Sequence, residues 1–292
     1  MHNTKIRPNH IREKKHVAAP ATIFSPQSGI NGCAAKNRIH SMTGSHAHGL
    51  DYFMYCPPDM NPSSPIVVSI HGYTRNAAEH AFRLAPVAKE YNAVLVVPYF
   101  TRKRFPHFNY LQPDKNGVFP GDALDDLLVD VKLRLNMASN KVFLFGYSAG
   151  AQFSHRYLML RGKRISKAAL FAPGWYTWPE TELAYPQGLG DSKALFGREL
   201  QVENLCKTDI CVFVGNQDIR RDGSLNTKPN IDNLQGKSRL ERARKWVPAI
   251  NQGLPATRHI GLNILDGVGH GFKNNIFRKH IDRPIFQWLF EE

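Results

Sequence analysis

Residues 141–151 read KVFLFGYSAGA, and this stretch limits the fold more than any other. Val142, Phe143, Leu144 and Phe145 form a short continuous apolar run, the pattern of a strand covered on both faces. The run breaks at once into Gly146-Tyr147-Ser148-Ala149-Gly150, and a helix-like segment follows. A strand that becomes a helix within five residues leaves little room at the bend. Glycines on either side remove side chains that would strike the neighbouring strand and helix. The Ser148 hydroxyl then stands at the tip of the turn, with the first helix amides aimed toward it.

The rest of the chain repeats this alternation. Residues 66–70 (IVVSI), 93–97 (AVLVV), 168–171 and 210–214 (ICVFV) read as buried strands, with 50–56 (LDYFMYC) opening the series and 259–265 (HIGLNIL) closing it. Helices are expected over residues 77–90, 122–137, 149 to about 160, 239–250 and about 274–290. The second carries Leu124, Leu127, Leu128, Val131 and Leu135 as a core stripe. Such alternation implies an α/β fold, a mostly parallel central sheet with helices on both faces. Functional groups then belong at the carboxyl ends of the strands. With 42% hydrophobic residues, no repeat and no clear linker, residues 46–292 are read as one domain. Two stretches rich in aromatics, 98–120 and 173–200, are expected to wall a pocket, the second as a small loop-rich cap. Residues 1–45 lack apolar periodicity and are read as a flexible basic arm, with seven Lys/Arg against one acid.

The net charge of +14 favours anionic partners, but no nucleic-acid-binding motif accompanies it, so nucleic acid is not expected as a partner. No run is long enough to span a bilayer. The apolar VAAPATIF near the start is short and interrupted by Pro20, unlike a secretory signal, so a cytoplasmic location is expected, with secretion as the alternative. Cys33, Cys56, Cys206 and Cys211 fit no zinc template and are read as ordinary free or buried cysteines, although Cys206 and Cys211 are close enough to pair. No G-x-G-x-x-G opens a helix after a strand, and neither a cofactor nor a metal is expected.

Three further strand ends carry chemistry. A serine hydroxyl is a weak nucleophile at neutral pH, so a base must take its proton and a carboxylate should orient that base. Gly215-Asn216-Gln217-Asp218 follows one strand, and Gly267-Val268-Gly269-His270-Gly271-Phe272 follows the last. Asp222 and Asp266 compete with Asp218 for the carboxylate role. Attack on a carbonyl also needs two N–H donors for the developing oxyanion, each worth roughly 3–4 kcal/mol. The amide of Ala149 supplies one, and that of Tyr73, in His71-Gly72-Tyr73, is the candidate for the other, with His71 read as structural.

The set HGYT (71–74), GYSAG (146–150), GNQD (215–218) and GVGHGF (267–272), in the order Ser, acid, His, resembles the α/β-hydrolase superfamily. The DYFMYCPP entry and the APGWYT stretch are similar to esterases of the polyhydroxybutyrate-depolymerase-like and feruloyl-esterase-like group. This resemblance covers about residues 50–290. It implies a serine esterase with Ser148, Asp218 and His270 as triad and Tyr73 and Ala149 as oxyanion donors, acting through an acyl-enzyme on a small-molecule or polymer ester. A peptidase or acyltransferase on the same triad, and an inactive hydrolase-fold binding protein, are the alternatives. Tyr147, Phe105, Trp175, Tyr176 and Trp178 are the candidate substrate contacts, with Arg102, Lys103 and Arg104 placed to meet a substrate carboxylate.

Overall fold

The computed structural model describes residues 36–45, 48–139, 141–161 and 164–291. Eight strands are present there: β1 (Ile39–Met42), β2 (Tyr52–Tyr55), β3 (Ile66–Ile70), β4 (Val94–Pro98), β5 (Val142–Tyr147), β6 (Lys167–Phe171), β7 (Asp209–Gly215) and β8 (Gly261–Leu265). The α-helices are α1 (Ala77–Glu90), α2 (Pro120–Arg134), α3 (Ala149–Arg161), α4 (Ser192–Phe196), α5 (Pro229–Gln235), α6 (Arg239–Gln252), α7 (Phe272–Lys279) and α8 (Asp282–Phe290).

The strands form one sheet in the order β1-β2-β4-β3-β5-β6-β7-β8. The β1–β2 and β2–β4 pairs are antiparallel, and all others are parallel. Every residue of β3, β4 and β5 is buried, as their unbroken apolar runs require of strands covered on both faces. Helix α1 packs on β4 and β2, α3 on β5 and β6, and α6 on β7.

Register decides where the chemistry falls. Ile70 pairs with Gly146, Tyr147 with Phe171, Phe171 with Phe213, and Gly215 with Leu265. The carboxyl ends of β3, β5, β6, β7 and β8 are therefore level, and the loops after them share one edge. Strand order reverses between β3 and β5, which opens a crevice between the loops that follow them.

Several expectations need correction. Residues 39–42, read as part of a flexible arm, are strand β1, paired to β2. Residues 1–35 of that arm lie outside the described residues. The single closing helix is two, parted at His280, whose φ of 49° ends α7 in a left-handed cap. Cys56 is disulfide-bonded rather than free, a state that oxidising compartments preserve. Cys206 and Cys211 are free and do not pair with each other. No described helix is long and apolar enough to cross a membrane.

Candidate active site

Ser148 is the single residue between β5 and α3 and has a φ of 54°, a strained backbone for a residue with a side chain. The turn is tolerated because its neighbours are glycines. A Cβ on Gly150 would lie 2.0 Å from the Ile70 carbonyl oxygen, and one on Gly146 would lie 2.7 Å from the Ala151 Cα. The two glycines thus clear the neighbouring strand and the following helix, one each.

The loops after β7 and β8 are laced together. Gln217 N–H donates to the Val268 carbonyl (2.9 Å), Gly267 N–H to Asn216 Oδ1 (2.9 Å), and Asn216 Nδ2 to Asp266 (2.6 Å). This lacing brings Asp218 Oδ2 to 2.7 Å from His270 Nδ1, while His270 Nε2 lies 3.0 Å from Ser148 Oγ. A carboxylate only accepts, so Nδ1 carries the proton and the Nε2 lone pair faces the serine hydroxyl. Asp218 is buried and His270 partly open. Of the three acids considered, Asp218 is the one that reaches His270. Asp266 is tied to Asn216, and Asp222 bonds Ser224 and Arg239.

Tyr147 holds the histidine loop. Its hydroxyl donates to the His270 carbonyl (2.7 Å) and accepts from Asn275 Nδ2 (3.2 Å), which also donates to the Gly269 carbonyl (2.8 Å). Burial pushes the Tyr147 phenol well above its usual range, so it stays protonated. A Cβ on Gly72 would be 3.8 Å from Ser148 Cβ, which sets the Gly72-Tyr73 backbone beside the serine. Ala149, the first residue of α3, is on the other side of the same turn. His71 is fully buried, with Nδ1 2.9 Å from the Gly72 carbonyl and Nε2 accepting from Phe100 N–H. Desolvation lowers it to about 4, leaving a neutral structural imidazole.

A cavity of about 730 Å³ opens over Ser148 and His270. One wall is Gly72, Tyr73, Thr74, Asn76 and Glu79, and the other is α7, with Lys273, Phe277 and Arg278. Tyr147 lines it. Phe105, Trp175, Tyr176 and Trp178 do not, nor does any other residue of the two stretches expected to wall it. Phe105 and Tyr176 are wholly buried. Tyr176 stacks on Trp246 at 4.5 Å, and Trp175 lies under the Arg156 guanidinium at 4.8 Å. Residues 173–200 instead pack on residues 98–120, with the Tyr185 hydroxyl bonding the Tyr110 carbonyl (2.6 Å). Arg104 is committed to Asp114 (2.9 Å) and to backbone carbonyls, and Arg102 touches the site only by lying 5.2 Å over the Tyr73 ring.

Sequence reasoning missed Asn275, Arg239, Ser224 and the α7 wall. Asn275 carried one faint signal, a polar residue on the face of α7 that holds Phe272 and Ile276. Among the described residues no group of three or more His, Cys, Asp or Glu could hold a metal ion.

No family model matches the chain. No curated protein matches it by sequence. Solved structures do match. Poly(aspartic acid) hydrolase-1 from Sphingomonas sp. KT-1 superposes with a TM-score of 0.75 at 22% identity, covering 86% of this chain and 100% of that one. The poly(3-hydroxybutyrate) depolymerase LpqC from Bordetella parapertussis gives 0.66 at 23% identity, covering 82% and 90%. An S-formylglutathione hydrolase from Agrobacterium tumefaciens gives 0.58 at 15% identity, covering 87% and 94%. With its level strand ends, its strained serine turn and these likenesses, the chain has the α/β-hydrolase fold.

Proposed function

We propose that this chain is a serine hydrolase that cleaves carboxylic esters through an acyl-enzyme. The observation that carries the reading is the hydrogen-bonded row Ser148–His270–Asp218, at 3.0 and 2.7 Å. Ser148 Oγ attacks the ester carbonyl as its proton passes to His270 Nε2, and Asp218 steadies the imidazolium. The Tyr73 and Ala149 amides receive the oxyanion. His270 then gives its proton to the leaving alkoxide. In the second half, His270 takes a proton from water, whose oxygen attacks the acyl carbon, and returns it to Ser148 Oγ as the acyl–oxygen bond breaks and the acid leaves. The substrate lies in the cavity between Tyr73 and Phe277, as a small ester or one unit of a polymer.

A fluorophosphonate probe is expected to label Ser148, as peptide mapping would reveal. Ser148→Ala should lose the label and about 10⁴-fold or more of its esterase kcat. Retained activity in a purified Ser148→Ala sample would end this reading. The likeness to a poly(aspartic acid) hydrolase supports amide cleavage as a second reading, and rates on matched ester and amide substrates decide between them. The bonded Cys56 favours export over the cytoplasm, which cell fractionation tests.

A further inference from the structure

Asp218 has a second partner that its proposed role does not require. Arg239 of α6 is fully buried and sends Nη1 to Asp218 Oδ1 at 3.2 Å, on the side away from His270. A guanidinium there cancels the negative charge that would stabilise an imidazolium. The same Arg239 reaches Asp222 Oδ1 through Nη2 at 3.3 Å, and Ser224 Oγ at 2.7 Å. Ser224 in turn bonds Asp222 through both its hydroxyl and its amide. Two carboxylates and one guanidinium sum to a single negative charge.

We propose that Asp222 is a positioning residue for the reaction: Asp218, Arg239 and Asp222 act as one unit of net charge −1, and Asp222 supplies the charge facing His270 that Arg239 would otherwise remove. This deepens the esterase reading and rests on it. Partial burial of Asp222 works against ionisation, but the bonds from Ser224 and Arg239 outweigh it and hold the carboxyl at about 2, so its charge is present throughout the working range. The other groups facing the cluster are accounted for. Arg242, also on α6, and Arg221 share the Asp232 carboxylate (2.8 and 2.7 Å), and the surplus cation, Arg221, is open to solvent. Tyr147 from β5 and Tyr176 from the segment after β6 are kept neutral by burial. Glu79 and Lys273 border the cavity on the His270 side, and Glu79 is bonded to Arg83 (2.8 Å). Ser224 itself lines the cavity, so the cluster extends from the buried acid to the substrate.

The test compares Asp222→Asn with Arg239→Met, reading the acid limb of kcat/KM against pH. The imidazole proton signal of His270, followed by NMR in a Ser148→Ala background, is the second readout. Removing a negative charge disfavours the imidazolium, so Asp222→Asn should move both midpoints down by roughly half to one pH unit. Arg239→Met should move them up. A purely structural role would not give shifts of opposite sign. Arg239→Met breaks a buried ion pair and could fail to fold, but Asp222 is half exposed and its amide variant keeps the inference testable. A His270 midpoint in Asp222→Asn that stays at the wild-type value, or rises, overturns it. The NMR readout needs no turnover, so failure of the esterase reading is distinguishable from failure of this one.

Discussion

At Gly150 an extra methyl group has nowhere to go. Its Cβ would fall 2.0 Å from the Ile70 carbonyl oxygen and 2.7 Å from that of His71, both backbone atoms, one at the end of β3 and one in the residue after it. Gly150→Ala should therefore cost about 2–3 kcal/mol, measured as a fall in the urea midpoint, and should slow fluorophosphonate labelling by tilting α3 away from β3. Gly72 is the internal comparison. Its Cβ would make only ordinary contacts of 3.7 Å or more, so Gly72→Ala should leave the midpoint within about 0.5 kcal/mol. Equal midpoints for the two variants would contradict this steric account of the turn.

Helix α7 is where structure and chemistry meet most directly, since it walls the cavity and its buried Asn275 holds the loop that carries His270. Asn275→Ala would remove the donor to the Gly269 carbonyl and to Tyr147, leaving a part-buried carbonyl without its donor at about 1 kcal/mol. Asn275 touches no substrate in this reading, so kcat should fall roughly 10–100-fold with KM nearly unchanged. A rise in KM at constant kcat would reassign it to binding. Most strands and helices were legible in the sequence, because short apolar runs such as 66–70 and 142–145, closed by turn residues, read as doubly covered strands. The Ser148, Asp218 and His270 positions were legible as candidates because each lies in the glycine-bearing turn after a strand. Strand β1 was not, since IHSM has no apolar run and takes its place by pairing with β2 at the sheet edge. The break before α8 was marked only by Pro284 in the first turn of that helix, since His280 takes its left-handed conformation without being a glycine. The cavity walls were misread for a different reason. Aromatic residues in a long loop serve equally to fill the core beneath it, and Trp175 and Tyr176 do that.

For the molecule as a whole, acid stability is governed by imidazoles that the fold keeps neutral. His71 after β3, His80 in α1 and His155 in α3 are all fully buried, and desolvation lowers each below its ordinary value, His71 to about 4. In the unfolded chain these groups take up protons as the pH drops below about 6.5, whereas in the folded chain they do not. The unfolded state then binds more protons, so stability is complete above about pH 6.5 and declines as the pH falls toward 4. For His71 alone the loss across that window is about 3 kcal/mol. Near pH 5 the three together should give a slope of up to about 4 kcal/mol per pH unit. Buried Asp125 and Asp282, whose carboxyls are raised by desolvation, work in the opposite sense near the bottom of the window. Asp114 and Asp232 are lowered and so lose their contribution only below about 3.8, outside the window. Urea denaturation at pH 7, 6 and 5 reads the slope directly. His155→Gln, at a position whose Nε2 accepts from the Thr177 amide at 3.0 Å, should reduce it by about one proton even where the variant is less stable overall. A stability that stays flat from pH 7 to 5 would mean that these imidazoles become charged inside the fold, and the buried neutral histidines would have to be abandoned as the cause of acid unfolding.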